Sequence, residues 1–433
     1  MKYAFVLLAV GCLLSAGHAQ WLETTIYLPD SSFPSALCCD SSDNKVYCAN
    51  ESSDAVVVIG CAVESIISTI SVGDRPLGLC YNSTNNKVYC ANNHSGNVSV
   101  IACASDEVVA TVQGGLEPYP LCYNGTNNKI YSAPSQSGVV RIIDGAGDSL
   151  VAMVSLGSAS LDVCYNSTDN KVYCADYYGN DVPVIDGATN AFLTSVPAGN
   201  GPIALCYNSH DDKIYCANCG SDNVTVIDGA TDSVLATVTT GNGPIALCYN
   251  PASNKVYCAN EYSGTVTVIN GATNAVIATV GVGTAPSVLA YNSLHNQVYC
   301  ANLGNNTVTV ISGSTNRVLA SVVVGDDPCA LTYNPNQDRI YVANKGGSSI
   351  SVLCDSATYT GLNTDPGPQV RTGKSAATVL PWESAVRLLT SCIIFDAMGR
   401  RVLNPRSGIY FVREAQAQAQ AQAQAVRKVV ITR

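Results

Sequence analysis

Twenty cysteines stand in a chain of 433 residues, and ten of them form five pairs with the same spacing. A turn-rich segment separates the members of each pair, as in "LCYNPASNKVYCAN" (247–260). Thiols at a fixed spacing can bind a metal, form a disulfide or fill a core. The pairs are Cys38 and Cys48, Cys80 and Cys90, Cys164 and Cys174, Cys206 and Cys216, and Cys248 and Cys258.

The residues around these cysteines limit the roles that the thiols can have. No metal site is predicted, because the spacing is not that of a zinc site and no histidine accompanies the pairs. Disulfides between adjacent strands would suit a secreted chain. However, the partner position of Cys122 holds Ser132, and the partner position of Cys300 holds Ala290. In these repeats one cysteine of the pair is present and the other is not. This favours buried thiols that fill a core, with disulfides as the alternative.

The elements that position the cysteines are repeats of 42 residues. Eight copies without insertion or deletion are a very strong repeat signal. Each copy has four short runs rich in Val, Ile, Thr and Tyr, separated by turn-forming Gly, Asn, Ser, Thr and Asp. Four antiparallel strands in about 40 residues are typical of a propeller blade. The repeat is marked by Tyr47, Tyr89, Tyr131, Tyr173, Tyr215, Tyr257, Tyr299 and Tyr341.

The sequence therefore predicts an all-β fold over residues 20–357, an eight-bladed β-propeller of four-stranded repeats. A seven-bladed ring is the alternative. The eighth copy ends near "SISVLC" (349–354) without a fourth run, and "LETTIYLPD" (22–30) aligns with the missing one. We expect this N-terminal strand to complete the last blade, which would close the ring and remove an exposed edge.

The segments "KVYCAN", "GTVTVI" and "GATNAVIATVGVG" resemble the YVTN family of β-propeller repeats over about residues 22–356. That family includes surface-layer and other extracellular propellers, and related folds include lactonases and redox-enzyme subunits. The resemblance implies a secreted, cell-surface binding or envelope protein. The alternative is a lactonase-like or lyase-like enzyme. No cofactor is expected, because the chain has no attachment motif.

The N-terminus has the pattern of a secretory signal peptide over residues 1–19. Lys2 precedes an apolar run from 4 to 16, and small residues at 17 and 19 suit a cleavage site after Ala19. Later in the chain no 18 consecutive apolar residues occur, so no transmembrane span is expected in the mature protein.

The C-terminal part differs in charge from the rest. Residues 358–433 carry ten Lys and Arg against four Asp and Glu, whereas the preceding part is strongly acidic. An acidic body argues against a nucleic-acid partner. After a Gly/Pro/Thr-rich linker (358–378), "IIFDAMGRRVL", "GIYFVRE" and "RKVVITR" resemble the C-terminal sorting domain of type IX (Por-type) secretion, a small β-sandwich. The resemblance implies that residues 379–433 bind the type IX machinery.

Candidate ligand-binding residues are those that depart from the repeat on one face of the ring. Asp162 replaces a small residue on an inner strand, and loops before and after the strands carry the others. Charged groups and tyrosines together suit a glycan or an extracellular protein segment. The predicted ligand site comprises Asp162, Arg75, Glu117, Tyr119, Tyr177 and Tyr178; loops on the same face add His94, Tyr262 and Lys345.

Overall fold

Each 42-residue repeat folds into a four-stranded antiparallel sheet. The computed structural model describes residues 19–29, 31–356, 378–381, 392–395, 408–414 and 426–432. Asn and Asp tolerate the left-handed conformation at the tight turns between strands, as at Asn86 (φ 52°) and Asp106 (φ 55°). Blade boundaries therefore follow the turn residues of the repeat.

The first four blades take their strands in chain order, starting from β2. Their strands are β2 (Pro34–Asp40), β3 (Lys45–Asn50), β4 (Ala55–Gly60), β5 (Ser65–Ser71), β6 (Pro76–Asn82), β7 (Lys87–Asn92), β8 (Asn97–Ala102), β9 (Glu107–Gln113), β10 (Pro118–Asn124), β11 (Lys129–Pro134), β12 (Val139–Asp144), β13 (Ser149–Ser155), β14 (Ser160–Asn166), β15 (Lys171–Asp176), β16 (Asp181–Asp186) and β17 (Phe192–Pro197).

The next four blades continue the pattern, except that the last blade takes its outer strand, β1 (Ala19–Tyr27), from the N-terminus. A short 3-10 helix, Leu303–Asn305, lies in blade 7. The other strands are β18 (Pro202–Asn208), β19 (Lys213–Asn218), β20 (Asn223–Asp228), β21 (Val234–Thr239), β22 (Pro244–Asn250), β23 (Lys255–Asn260), β24 (Thr265–Asn270), β25 (Val276–Gly281), β26 (Pro286–Asn292), β27 (Gln297–Asn302), β28 (Thr307–Ser312), β29 (Val318–Val323), β30 (Pro328–Asn334), β31 (Arg339–Asn344) and β32 (Ser349–Ser356).

The eight blades form a closed ring around a channel. The first strand of each repeat contacts the first strand of the next, and β30 of blade 8 contacts β2 of blade 1. These first strands are therefore innermost. The predicted eight-bladed propeller is confirmed, and the seven-bladed alternative is wrong.

Ring closure by the N-terminal strand is also confirmed. Strand β1 pairs antiparallel with β32, and Ile26 stands opposite Ile350. Ile26 and Leu28 are buried in the core between blades 8 and 1. Arg339 of blade 8 adds an ion pair with Glu23 of β1. The last blade is thus held by side chains as well as by its backbone ladder.

The core lies between the blades. Each repeat tyrosine is fully buried, and its ring packs against the next blade, as Tyr173 does against Ile214 and Cys216. Below it, Lys171 Nζ reaches Asp232 of the next blade at 2.9 Å. The same contact from a Lys to a turn residue of the next blade recurs around most of the ring. Successive blades are therefore joined by polar contacts as well as by apolar packing.

A belt of asparagines circles one end of the channel, opposite the loops that join successive blades. At the end of seven of the eight inner strands, an amide nitrogen donates to an Asn or Asp of the following blade at 2.7–3.0 Å. Seven of eight positions are Asn, and the eighth is Asp40. Asp40 is fully buried, and its Oδ2 has no hydrogen-bond partner among the described residues. A carboxylate cannot donate, so the belt is broken between blades 1 and 2.

Asp40→Asn is expected to stabilise the protein by about 1 kcal/mol, because a new amide donor can reach Asn86 and an unpaired buried oxygen is removed. The free energy of unfolding in denaturant would measure this. Asn82→Asp, which makes the opposite change one blade further on, should destabilise by a similar amount. A loss of stability in Asp40→Asn would contradict this reading of the belt.

The cysteine pairs lack the geometry that the disulfide alternative requires. Cys38 stands opposite Tyr47, so it is offset by one residue from Cys48, and the same register holds in the other four pairs. Side chains alternate along a strand, so the two thiols of a pair lie on opposite faces of the blade. The ten cysteines of the five pairs form no disulfide. The disulfide alternative is therefore replaced by thiols that fill two successive interfaces.

The chain divides into two compact units, 1–359 and 360–433. In the second unit the described strands are β33 (Thr378–Pro381), β34 (Cys392–Phe395), β35 (Gly408–Glu414) and β36 (Val426–Thr432). They form one sheet in the order β33-β36-β35-β34, in which β33 and β36 are parallel. The predicted signal peptide up to residue 18 and the linker up to residue 377 lie outside the described residues. Across the described part, no helix is long and apolar enough to cross a membrane.

Candidate functional site

Two sets of loops meet on one face of the ring, which we call the upper face. One set joins the second and third strands of a blade, as at 51–54. The other set joins one blade to the next, as at 72–75. Backbone hydrogen bonds connect the two sets, for example from His94 N to Asp74 O at 3.2 Å. The predicted sharing of one face by these loops is confirmed.

A charged pocket lies on the upper face where blades 1 and 2 meet. It is an open cavity of about 300 Å³ lined by Glu51, Ser52, Asp54, Asp74, Arg75 and His94. Glu51 is at its centre, with Arg75 Nε 2.6 Å from Oε1 and Lys345 Nζ 2.6 Å from Oε2. His94 Nε2 lies 3.3 Å from Arg75 Nη1. Three blades thus contribute to one ion-pair cluster.

The electrostatics of the charged pocket are set by Glu51. Burial of this carboxyl opposes its ionisation, but the ion pairs with Lys345 and Arg75 outweigh that effect and lower its pKa. Both cations are also partly exposed, at 44% for Lys345 and 42% for Arg75. The cluster is therefore neutralised internally while its cations remain accessible from solvent.

A second sector spans blades 4 to 6, and we call it the tyrosine platform: Tyr177, Tyr178 and Tyr262. The rings of Tyr177 and Tyr178 form an edge-to-face pair with centroids 5.1 Å apart. Tyr178 is 72% exposed and Tyr262 is 78% exposed. The platform rests on two glycines at left-handed turns: Cβ atoms added there would meet Tyr177 at 3.2 Å (Gly201) and Tyr262 at 2.6 Å (Gly243).

Asp162 lies in the channel wall, where β14 of blade 4 faces β18 of blade 5. Its Oδ2 accepts a hydrogen bond from Leu205 N at 2.7 Å, and its Oδ1 accepts one from Val163 N at 2.8 Å. Burial raises its pKa to about 6, against the lowering effect of these two amides. The carboxylate thus satisfies a backbone donor on the inner edge of the next blade.

The pH dependence of stability should carry a contribution from Asp162. Its folded-state pKa of about 6 lies above the unfolded value near 3.9, so between these pH values only the folded protein binds the proton. Its contribution is therefore present below pH 4 and lost as the pH rises through 6. Relative to Asp162→Asn, the wild type should gain free energy of unfolding between pH 7 and pH 4.5. A constant difference in chemical denaturation across this range would contradict the assignment.

The structure separates the predicted ligand residues into three places and leaves Glu117 apart from them. Arg75 belongs to the charged pocket, Asp162 to the channel wall, and Tyr177 and Tyr178 to the platform. Tyr119 was expected in a loop, but the strand already starts at Pro118, so this residue stands on the innermost strand β10. Tyr119 is 44% exposed on this strand, and partial burial together with the Asp162 carboxylate raises the pKa of its phenol.

Glu117 sits at the inter-blade turn, in the left-handed conformation (φ 53°), and its carbonyl accepts Ser135 N at 3.0 Å. No contact in the described structure joins it to the platform. The sequence prediction omitted Glu51, Cys219 and Glu261, which occupy one repeat position directly after "YCAN" or "YCAN"-like segments. Comparison of that single position across the eight repeats would have identified them.

Two aspartates on blade 4, Asp176 and Asp181, were also missed. Asp176 replaces the Asn of six other repeats, and Asp181 replaces the Asn, Thr or Ser of five. Each is a change between polar residues, so a search for unusual residue types does not find it. Within the described side chains, no group of three or more His, Cys, Asp or Glu is arranged to hold a metal ion.

One family model, described as "YNCE-like beta-propeller", matches residues 3–247. Among curated proteins, no sequence matches significantly. The match to the family model supports the predicted β-propeller repeat protein.

Solved structures share the fold at low sequence identity. Hydrazine synthase of Kuenenia stuttgartiensis is 14% identical, with a TM-score of 0.55 over 75% of this chain and 96% of that chain. Sqt1 of Saccharomyces cerevisiae is 11% identical, with a TM-score of 0.68 over 78% of this chain and 99% of that chain. The two neighbours are different proteins, so the similarity establishes the architecture alone. The function has to be argued from the site.

Proposed function

We propose, from the premise that the chain belongs to the YNCE-like β-propeller family, that it is an extracellular binding protein that captures a glycan on its upper face. The observation that carries the proposal is the tyrosine platform. Two strongly exposed rings, Tyr178 of blade 4 and Tyr262 of blade 6, stand on either side of blade 5. Glycines leave room for the close approach of Tyr177 and Tyr262 to the backbone beneath them. Exposed aromatic groups grouped in this way mark interaction sites.

A sugar ring suits the platform chemically. Its C–H face can lie on a tyrosine ring, and its hydroxyls can bond to polar groups at the rim. Such groups are present, because Tyr177 and Cys219 interact and the charges of Glu261 and Asp222 lie near that thiol. Acidic groups at the rim accept hydrogen bonds from hydroxyls. A strongly anionic glycan would be repelled, so a neutral or amino sugar is expected.

A glycan array probed with the purified propeller tests this function. The double variant Tyr178→Ala/Tyr262→Ala should lose at least about tenfold in affinity for any neutral glycan found, as expected when central aromatic contacts are removed. Tyr27→Ala is the matched control, because Tyr27 is equally exposed (76%) but lies on the outer strand β1. Binding that survives in the double variant, or is lost in the control, would exclude the platform. Binding to an extended peptide instead would overturn the glycan assignment.

The enzyme alternative has less support. A lactonase-like or lyase-like mechanism would need a free acid or base at the channel, and Asp162 is the strongest candidate by its pKa of about 6. Both of its oxygens already accept backbone hydrogen bonds. Asp162 therefore stabilises the interface between blades 4 and 5, and both of its oxygens are engaged there rather than with a substrate.

Residues 379–433 are included in the proposal as the signal for export to the cell surface through the type IX machinery. Their resemblance to sorting domains, their basic charge and the β-strands of the second unit support this role. Truncation after Ala357 should leave a folded propeller that stays inside the outer membrane. Normal surface display of the truncated protein would refute it.

A further inference from the structure

Two aspartates face each other in the hairpin that joins the second and third strands of blade 4. Asp176 ends β15 and Asp181 begins β16, and the two residues are direct partners in the ladder, so their side chains share one face of the sheet. A Cβ added at Gly179 would lie 2.6 Å from Asp176 Oδ2 and 2.8 Å from Asp181 Oδ1. Both oxygens therefore converge beside the same glycine.

Other blades hold an uncharged pair at this place. In blade 2, Asn92 Nδ2 donates to Asn97 Oδ1 at 2.7 Å and to Ser99 Oγ at 2.9 Å. In blade 4 both amides become carboxylates, and Pro183 stands in place of the serine hydroxyl. Ionised carboxylates only accept hydrogen bonds, so the donor that joins the pair in other blades is lost.

Oxygen atoms without partners surround the two aspartates. Ser160, which replaces the proline of other repeats, stands directly opposite Asp176 in the ladder and is 2% exposed. Its Oγ has no hydrogen-bond partner among the described residues. Asp181 Oδ1 also lacks one, and the Ser195 hydroxyl is its polar side-chain neighbour. Ladder partners point to the same face, so the Ser160 hydroxyl is directed at the pair. Buried polar atoms of this kind call for an unseen partner.

The negative charge of the pair is also uncompensated. Asp176 is 2% exposed, and its Oδ1 is occupied by Ser158 Oγ and by Gly179 N at 2.7 Å. No Lys, Arg or His of the described residues forms an ion pair with either aspartate. A buried carboxylate beside a half-buried one, without a counter-charge, is unfavourable, and a cation or a shared proton must offset their repulsion.

We propose that Asp176 Oδ2, Asp181 Oδ1 and Ser160 Oγ bind a Ca²⁺ ion in blade 4. All available atoms are oxygens, which are the ligands that this hard cation prefers. Ca²⁺ accepts irregular sets of carboxylate, hydroxyl and water oxygens, whereas Mg²⁺ requires near-octahedral geometry. Only two carboxylates take part, so water must complete the shell, and the affinity should be that of an extracellular site.

Such an ion would join the two ends of the hairpin that carries Tyr177 and Tyr178. It would therefore hold the upper loop of blade 4 in place. The ion site does not depend on the glycan proposal, because the aspartates and Ser160 bind the ion without the tyrosines.

Calorimetric titration of chelator-dialysed full-length protein with CaCl₂, together with its thermal midpoint, tests the site. The wild type should bind one Ca²⁺ and gain a few degrees in midpoint at saturation. Asp176→Asn restores the amide donor of blade 2, so it should bind at least tenfold more weakly, lose the Ca²⁺-dependent shift, and melt higher than chelated wild type. Ser160→Ala should also weaken Ca²⁺ binding, and it should change the midpoint of the chelated protein less than Asp176→Asn does. Asp186→Asn removes the same charge from the opposite end of blade 4 and should titrate like wild type.

Two results would overturn the proposal. A Ca²⁺ response that persists in Asp176→Asn would place the ion elsewhere. Absence of heat and of any midpoint shift in the wild type would leave a shared proton as the compensation. In that case the chelated wild type should lose stability as the pH rises, since burial and the Asp176 charge raise the pKa of Asp181. Asp176→Asn should lose less, because only the effect of burial remains.

Discussion

A chain that begins at Ser31 should melt more than about 10 °C below one that begins at Gln20. The deletion removes the whole backbone ladder between β1 and β32 and uncovers the apolar sites of Ile26 and Leu28. It also removes the Glu23 partner of Arg339. The open edge of β32 should in addition promote association through strand pairing, which light scattering would detect.

Addition of a synthetic peptide of residues 20–30 provides the control for this deletion. The peptide can re-pair with β32 as an added strand, so it should restore part of the lost thermal midpoint in a concentration-dependent way. A peptide with Ile26→Asp should not restore it, because a charge would be buried in the core between blades 8 and 1. A midpoint unchanged by the deletion would show that β1 does not stabilise the ring.

Tyr173→Phe should lower the free energy of unfolding by about 1.5–3 kcal/mol, whereas Tyr131→Phe should change it by less than about 0.5 kcal/mol. Both rings are fully buried at the same repeat position. Tyr173 Oη donates to Asp232 Oδ1 at 2.6 Å and lies 3.1 Å from Gly229 O. Tyr131 Oη has no hydrogen-bond partner in the described part of the chain.

The two variants remove the same atom from the same environment, so their difference isolates the hydrogen bond to a carboxylate. Denaturant unfolding of both proteins at one pH measures it. A second pair extends the comparison: Tyr173→Phe in an Asp232→Asn background should cost less than in the wild type, since the acceptor is then uncharged. Equal losses at Tyr173 and Tyr131 would mean that ring packing alone sets the energetics.

Much of the fold was predictable because strand pairing within a blade is local. The 42-residue period, the four runs per repeat and the missing fourth run after 354 were sufficient to predict eight blades and closure by the N-terminal strand. Turn residues set each hairpin, and each hairpin spans only a few positions of the chain. The register of the first hairpin was harder. An offset of one residue reverses the face of a side chain, and it places Cys38 and Cys48 on opposite faces.

The candidate site was predictable only in its general location. That two loop sets share the upper face follows from the order of strands in a blade. The grouping of side chains on that face does not, because Glu51 of blade 1 meets Lys345 of blade 8, at the two ends of the repeat array. Contacts of that kind depend on how the ring closes and on which way each loop residue turns.

The sequence by itself determined the architecture, since periodic apolar strands and turn residues leave a four-stranded blade as the unit and a ring as the arrangement that buries both faces of every blade. Only the tertiary structure decided which departures from the repeat act together. Ser160, Asp176 and Asp181 are ordinary polar residues in the sequence, and they become a site because the ladder of blade 4 aligns them in one row with unpaired oxygens. The physical reason is that a pair of carboxylates needs a cation or a proton only where it is buried and has too few hydrogen-bond donors. Both conditions arise only in the folded protein.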